Sequence, residues 1–214
     1  MKTNHTTFYI VRHGESEGNV NKILQGQMDF PLTKAGENQA KKRAHDLKDV
    51  TFDAVFASDL MRAHRTAEII ALEHDLTVMT TEALRERSFG KYEGMDPKQF
   101  TQEIQEIFSR WYMLTDAEWM KSRLDDTFET GEEMVSRMLT FLREIAVGYP
   151  GKTILSVCHG DLMRNLLIHL GWGTKDELRS HAISNTSYFV LKTDGSDFRI
   201  EKAKGITKLG TAEL

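Results

Sequence analysis

The sequence predicts an α/β fold of three layers, with helices on both faces of a mainly parallel sheet and a helical insertion over the carboxyl edge of that sheet. Short apolar runs that are typical of buried strands alternate with segments whose apolar residues recur at helical spacing. This alternation is typical of parallel sheets covered on both faces. Between residues 95 and 130 the alternation stops and charged and aromatic residues dominate, which indicates the insertion.

The first half of the chain contains three predicted strands and two predicted helices. Apolar runs predict strands at residues 7–12, 53–58 and 76–79. The first helix follows Thr33, a typical N-cap residue, and has apolar residues at i, i+4 and i+7. The second helix covers about residues 60–73. Each helix is therefore expected to connect two neighbouring parallel strands.

The second half continues the pattern after the insertion. Apolar periodicity predicts helices at 134–145 and 162–170, with a buried strand at 152–158 between them. The chain then closes with a hairpin of residues 187–192 and 198–202. The aromatic residues of the insertion have two interpretations: they pack a small subdomain, or they form a lid that shapes a substrate pocket.

Length and composition restrict the class of protein. The 214 residues fit one domain, residues 1–214, with the insertion at about 95–130. A net charge of -4 argues against a nucleic-acid partner, and no apolar run approaches the ~20 residues that span a membrane. The single cysteine, Cys158, and a polar N-terminus without a signal-peptide pattern predict a cytoplasmic protein. The histidines lack metal-binding spacing, so neither a metal nor a cofactor is expected.

Polar residues follow the predicted strands where packing does not require them. Arg12 and His13 end the first strand, Arg62 follows the second, Glu86 follows the third and His159 follows the fourth. Each alone has an ordinary explanation, such as a surface arginine or a helix-capping histidine. Because the carboxyl ends of parallel strands share one edge, we expect these five side chains to converge. Arginines suit an anionic substrate, and a neutral imidazole is a nucleophile.

Five blocks of the sequence, in order, resemble those of a known family. Residues 12–19 read Arg-His-Gly-Glu-Ser-Glu-Gly-Asn, and residues 25–36 continue the same block. Further blocks begin at Ser58, Leu84 and His159, and residues 185–187 resemble the closing strand. Together they resemble the histidine phosphatase superfamily, in its phosphoglycerate-mutase-like branch, over nearly the whole chain.

The resemblance implies a role for each of the convergent residues. His13 would be the nucleophile that becomes phosphohistidine, and Arg12, Arg62 and His159 would surround the phosphoryl oxygens. Glu86 would protonate the leaving oxygen and later activate water. The remaining residues assigned to the binding of phosphate or substrate are Ser16, Asn19, Gln25, Gly26, Arg87, Gly160 and Asp161.

The chain departs from the family pattern at two places. Gly18 stands where many relatives have tryptophan, and Lys208-Leu209 stands where relatives often have His-Leu, which leaves open whether the C-terminal tail covers the site. Asp161 follows the His159-Gly160 pair and is an alternative to Glu86 as the proton donor.

The function predicted from these residues is metal-independent hydrolysis of a small phosphorylated metabolite. Phosphoryl transfer of the mutase type and a catalytically silent protein that binds phosphorylated ligands are the alternatives. The insertion is short and its cations are scattered (Lys98, Arg110, Lys121 and Arg123), which favours hydrolysis over the mutase. The sequence leaves the substrate open, and also the oligomeric state, with a dimer as one option.

Overall fold

The computed structural model describes residues 5–210, apart from the side chains of Pro97, Phe108 and Tyr112. Its centre is one sheet of six strands in the order β3-β2-β4-β1-β5-β6. The strands are β1 Thr6–Arg12, β2 Ala54–Ser58, β3 Val78–Thr81, β4 Thr153–Cys158, β5 Ile183–Thr193 and β6 Phe198–Ile206. Strands β1 to β4 are parallel, whereas β5 pairs antiparallel with both β1 and β6. The predicted parallel sheet and closing hairpin are confirmed.

Helices cover both faces of the sheet, as the alternating pattern predicted. They are α1 Glu17–Val20, α2 Lys34–Leu47, α3 Met61–Ala71, α4 Pro97–Glu103, α5 Gln105–Tyr112, α6 Asp116–Lys121, α7 Gly131–Gly148 and α8 Gly160–His169. Apolar side chains of α7 and α8 pack in one buried cluster against one face, and those of α2 and α3 pack in a second cluster against the other. These are the outer layers of the three-layer fold.

The insertion predicted at residues 95–130 contains α4, α5 and α6. Phe100, Ile104 and Phe128 of the insertion form a small apolar core together with Tyr92, which lies just before it. Thr115 begins α6 with a capping box, in which its hydroxyl and the Glu118 carboxylate each accept a backbone N–H. This core agrees with the packing interpretation of the aromatic residues, and two of its members, Phe100 and Phe128, also line the cavity next to the insertion.

Two strands begin two or more residues away from their predicted starts. The third strand begins at Val78 rather than at residue 76, because the chain after α3 continues in a 3₁₀ turn and reverses at Asp75, which has a left-handed φ of 53°. The fifth strand begins at Ile183 rather than at 187. A register irregularity between Ile183 and Tyr188, with Thr186 at φ 55°, interrupts its apolar alternation.

The register of the central strands determines where the functional side chains lie. Arg12 at the end of β1 stands opposite Cys158 at the end of β4, so His13 and His159 leave the sheet side by side.

Among the described residues, no helix is long and apolar enough to cross a membrane. Residues 5–210 also contain no cluster of histidine, cysteine and carboxylate groups suited to a metal ion.

Candidate active site

His13 is held by backbone contacts at the junction of β1, β4 and β5. Its N–H donates to the Cys158 carbonyl (3.0 Å), and its carbonyl accepts from Thr186 N (3.3 Å) and Asn185 Nδ2 (3.1 Å). The ring is buried, and its Nδ1 lies 2.6 Å from the Gly14 carbonyl. A carbonyl oxygen only accepts, so Nδ1 carries the proton and Nε2 carries the free electron pair.

The charge state of His13 agrees with a nucleophilic role. Burial, followed by the nearby Arg62 and Arg12 guanidiniums, lowers the pKa of His13 well below its ordinary value. The ring is therefore neutral near pH 7. A neutral ring with a fixed tautomer presents a lone pair on one nitrogen, which is what attack on phosphorus requires.

His159 lies beside His13, with 5.1 Å between ring centroids and 58° between ring planes. It is the N-cap residue of α8 and is completely buried. Burial, with Arg62 as the next contribution, lowers the pKa of His159 well below its ordinary value. A neutral His159 offers one N–H donor towards its neighbours without adding a charge.

Arg62 and Arg12 bring positive charge to the same place. Arg62, in the first turn of α3, is almost completely buried and donates to the carbonyls of Gly26 (2.7 Å) and Met28 (2.9 Å). Arg12 donates to the Ile183 carbonyl at the start of β5. Carbonyl partners orient the guanidiniums without neutralising them, so both arginines stay available for an anion.

Several buried polar atoms at this point make no hydrogen bond within the described part of the chain. They are Nε of Arg12, Nε of Arg62 and both ring nitrogens of His159. Buried polar atoms normally have partners, and a group of exceptions calls for an explanation. Here the two guanidiniums and the His159 ring, which retains an N–H in either tautomer, surround the His13 ring. Together they form a group of unsatisfied polar atoms beside two guanidiniums, an arrangement suited to an anion.

Two glycines make room for this arrangement. A Cβ on Gly160 would lie 3.1 Å from Arg12 Nε and 3.2 Å from Arg12 Cζ, so a larger residue would require the guanidinium to move away from the start of α8 by a few tenths of an ångström. Gly26 has a left-handed φ of 52°, and a Cβ there would lie 2.3 Å from a carboxylate oxygen of Glu93. Its conformation directs its carbonyl to Arg62.

Glu86 reaches the same edge after a 3₁₀ turn and caps α8 from outside that helix. Its Oε2 accepts the backbone N–H of Asp161 (3.1 Å), and its Oε1 accepts those of Leu162 (3.1 Å) and Arg87 (3.0 Å). Burial, followed by the negative charge of Asp161, raises the pKa of Glu86. A carboxyl with a raised pKa is suited to donate a proton near neutral pH.

Asp161 is engaged in ion pairs. Its Oδ2 accepts from Arg87 Nε (2.6 Å), and its Oδ1 lies 3.6 Å from Arg164 Nη1. Although burial alone would raise it, the pKa of Asp161 is held below its ordinary value by Arg87 and Arg164. The carboxylate of Asp161 therefore stays ionised, and of the two carboxyls Glu86 is the one whose pKa is raised.

The loop residues Ser16, Asn19 and Gln25 form a network of their own. The buried Ser16 hydroxyl lies 3.0 Å from Asn19 Oδ1 and 2.8 Å from Gln25 Oε1. A Cβ on Gly18 would lie 2.5 Å from the Gln25 side chain, so glycine at this position makes room for Gln25. The network orders the loop after β1, and direct phosphate contacts from these three side chains stay a prediction.

A cavity of about 690 Å³ opens at the carboxyl edge of the sheet beneath the insertion. Arg12, Glu86 and Gly160 line its floor, and Phe89, Trp111 and other aromatic residues line its wall. The described part of the C-terminal tail does not line this cavity. Lys208 Nζ lies 4.1 Å from the centre of the Trp172 ring, and Leu209 N donates to the Glu177 carbonyl.

Sequence reasoning missed one pair that supports the site. Arg137 on α7 donates to the carbonyls of Ala83 (2.8 Å) and Glu86 (3.2 Å) and pairs with both oxygens of Glu129 (2.7 and 3.1 Å). Glu129 in turn accepts the backbone N–H of Ser88 (3.1 Å). The pair fixes the loop that carries Glu86. An arginine on a helix carries no signal in the sequence that would reveal such a contact.

Comparison with known proteins agrees with this geometry. The profile of the histidine phosphatase superfamily (branch 1) matches residues 8–204. The chain belongs to this superfamily. The family and the fold predicted from the sequence are thereby confirmed.

Individual relatives carry both phosphatase and mutase names. The uncharacterized phosphatase PhoE of Bacillus subtilis (strain 168) is 32% identical over 92% of this chain and 93% of its own length. The probable phosphoglycerate mutase GpmB of Photorhabdus laumondii is 33% identical over 96% of both chains. The solved structure of Bacillus stearothermophilus YhfR superimposes with a TM-score of 0.80 at 26% identity, covering 94% of this chain and 98% of its own. These names establish the superfamily and include both hydrolysis and phosphoryl transfer.

Proposed function

We propose that this protein hydrolyses phosphomonoesters through a phosphohistidine formed on His13, without a metal ion. The observation that carries the proposal is the neutral His13 ring, with Nε2 unprotonated, beside the unpartnered donors of Arg12, Arg62 and His159. Phosphoryl transfer depends mainly on positioning and on positive charge around the phosphoryl oxygens. These side chains supply both.

In the first step His13 Nε2 attacks phosphorus and the bond between phosphorus and the ester oxygen breaks. The leaving oxygen takes the proton of the Glu86 carboxyl, so the alcohol departs neutral. Arg12 and Arg62 balance the charge of the phosphoryl oxygens, and His159 donates an N–H to one of them. The raised pKa of Glu86 supports its role as the acid.

In the second step water attacks the phosphohistidine. The Glu86 carboxylate, left ionised by the first step, accepts a proton from that water, and the bond between phosphorus and His13 Nε2 breaks. Inorganic phosphate leaves, His13 returns to its neutral form and Glu86 is protonated again. One carboxyl therefore serves as acid and then as base.

The position of the insertion cations favours hydrolysis over mutase-type transfer. A mutase must hold a second anionic group of its substrate, and the insertion has four cations, Lys98, Arg110, Lys121 and Arg123. The cavity is lined by none of these four. Arg123 instead donates to the Phe128 carbonyl and pairs with Glu133. Four cations besides Arg12 do line the cavity: Arg87 and Arg164, which pair with Asp161, Lys175, which pairs with Asp176, and Arg179. The insertion itself contributes no second anion site, and this supports water as the acceptor of the phosphoryl group.

The experiment is to supply phosphomonoesters to the purified protein in EDTA and to measure inorganic phosphate, phosphorylated products and vanadate inhibition. We expect phosphate release that EDTA leaves intact and vanadate suppresses, because vanadate mimics five-coordinate phosphorus. His13→Ala is the control. Activity lost in EDTA and restored by a divalent ion contradicts the proposal. Transfer without phosphate release identifies a mutase, and binding without turnover identifies a silent binder.

The remaining proposals concern the setting of the enzyme. A reducing, cytoplasmic compartment is proposed from the single buried Cys158, whose thiol pKa is raised by burial. The partner is a small phosphorylated substrate. Neither a nucleic acid nor a membrane is proposed as a partner, since the net charge is -4.

A further inference from the structure

The peptide group between His13 and Gly14 is held at both of its polar atoms. Its oxygen, the His13 carbonyl, accepts from Thr186 N (3.3 Å) and from Asn185 Nδ2 (3.1 Å). Its N–H, which belongs to Gly14, donates to the Thr66 hydroxyl (3.0 Å). The next carbonyl along the chain, that of Gly14, is the one that fixes the tautomer of the His13 ring. The direction of that ring therefore depends on the two donors at residues 185 and 186.

Thr186 provides one of these donors from a conformation that threonine rarely adopts. Its φ is 55°, in the left-handed region, where the register of β5 against β6 is irregular. A β-branched residue meets steric repulsion there, so such a backbone persists only where other contacts hold it. Because the strand that follows is anchored in the sheet, relaxation of this φ would displace the Thr186 N–H and the preceding Asn185.

The contact that holds Thr186 comes from Arg43, a buried residue of α2. Arg43 Nε donates to the Thr186 carbonyl at 2.7 Å. The guanidinium is itself fixed, because its Nη1 donates to Asp46 (2.8 Å) and its Cζ lies 4.9 Å from the centre of the Tyr188 ring. A hydrogen bond from a charged donor is stronger than one from a neutral donor. The second helix thus stabilises a turn that the sheet alone does not favour.

We propose that Arg43 is a positioning residue for the nucleophile. It keeps the turn at Thr186 in its left-handed form, and the turn holds the peptide group that orients the His13 ring towards phosphorus. The inference rests on the proposed function and assigns Arg43 no contact with the substrate. A displaced nucleophile loses rate while the phosphate-binding side chains stay in place, and a displacement of about 1 Å costs as much as ~10²-fold.

The test begins with Arg43→Met, which removes the donor and keeps an unbranched side chain. Asp46 retains a partner in this variant, because Lys204 Nζ lies 3.2 Å from the same carboxylate oxygen. We expect phosphorylation, measured by rapid quench, to slow by about 10–100-fold for alkyl and nitrophenyl phosphates alike, since the nucleophile and not the leaving group is affected. The inhibition constant of inorganic phosphate should stay close to that of the unmodified protein. An unchanged rate, or a loss of phosphate affinity as large as the loss of rate, overturns the inference.

The ring signals of His13 provide a readout that does not require turnover. In the unmodified protein, ¹⁵N NMR should show a neutral ring protonated at Nδ1, the tautomer that the Gly14 carbonyl selects. Arg43→Met should produce a mixture of the two tautomers. Lys42→Met is the matched control, because Lys42 is the exposed neighbour on the same helix and its loss removes the same charge; neither the rate nor the ring signals should change. A slower rate with unchanged His13 signals in Arg43→Met overturns the inference.

A second substitution tests the route from Arg43 to His13. Glycine adopts a left-handed φ without steric cost, so Thr186→Gly reduces the need for Arg43. The double variant of Arg43→Met and Thr186→Gly should therefore be phosphorylated faster than Arg43→Met alone, and the absence of any recovery contradicts the inference.

Arg43→Lys covers the case in which Arg43→Met fails to fold. A single ammonium group does not reproduce the planar fork that bonds Thr186 and Asp46 together, so the rate should again fall equally for both leaving groups. An unchanged rate in this variant overturns the inference. Failure of the unmodified protein to form a phosphohistidine counts against the proposed function instead, and the tautomer comparison then still tests the role of Arg43.

Discussion

Replacing Glu86 by glutamine separates its role as an acid from its role as a cap of α8. The carboxylate accepts three backbone N–H groups, two at Oε1 and one at Oε2. Glutamine with its carbonyl at the Oε1 position keeps two of these bonds and turns an NH₂ group towards the N–H of Asp161. One buried donor is then unpaired, which costs about 1–3 kcal/mol. For a chain of this length the midpoint of thermal unfolding should fall by roughly 2–12 °C.

The catalytic effect of the same change should depend on the leaving group. An alkyl phosphate leaves as a strongly basic alkoxide that needs a proton, whereas nitrophenolate hardly needs one. We expect the phosphorylation step of alkyl phosphates to slow by about 10²–10⁴-fold more than that of nitrophenyl phosphate. Rapid quench measures this step apart from the attack of water. Equal slowing of both substrates would refute the assignment and leave Glu86 as a positioning group.

The pH dependence provides a second readout of the same residue. Since Glu86 must be protonated to donate, phosphorylation of an alkyl phosphate should decline as pH rises through the raised pKa of Glu86. Asp161→Asn is the matched control, because it retains the backbone N–H that Glu86 accepts. It removes a charge that raises the pKa of Glu86, so the alkaline decline should move to lower pH. A decline that disappears in Asp161→Asn and persists in Glu86→Gln would identify Asp161 as the acid.

Two further substitutions and one titration test the support of the site. Gly160→Ala brings a Cβ to 3.1 Å from Arg12 Nε. It should weaken vanadate inhibition by about tenfold, which is the equivalent of one charge-assisted hydrogen bond. An unchanged inhibition constant argues against a phosphate contact from Arg12. Arg137→Met removes the hydrogen bond that supports the Glu86 loop, so it should slow the hydrolysis of alkyl phosphates more than that of nitrophenyl phosphate. Arg137→Lys should recover part of the loss. Equal slowing of both substrates indicates a purely structural role. Burial lowers the pKa of His13, so its NMR signals in the free enzyme should stay those of a neutral imidazole as the pH falls through 6.5. Protonation of His13 at or above that pH would contradict its assignment as a neutral nucleophile.

The convergence of the main side chains can be predicted from the sequence, because helices that connect parallel strands place the carboxyl ends of those strands on one edge of the sheet. Arg12, His13 and His159 leave two adjacent parallel strands in register, and apolar runs with polar ends were sufficient to predict this. Arg62 lies in the first turn of a helix after β2, a position that helical periodicity also reveals. The main candidate residues were therefore predictable from local patterns together with the rules for parallel sheets.

The remaining features depend on contacts between distant parts of the chain. Glu86 caps a helix that begins about 75 residues later, and the tautomer of His13 depends on the orientation of one carbonyl. No local pattern encodes either contact. The misplaced third strand has a similar cause: Leu76 is apolar because it packs against the cluster under α2 and α3, and not because it belongs to the strand.

The most direct measurement is the detection of a phosphohistidine on His13. A brief incubation with a ³²P-labelled phosphomonoester, followed by rapid denaturation, should yield a labelled protein whose label is stable in alkali and released in acid. Peptide mapping should place the label on His13, and His13→Ala should abolish both the label and turnover. Label that persists in His13→Ala, with His159 as the first alternative, or turnover that continues without His13, would contradict the account.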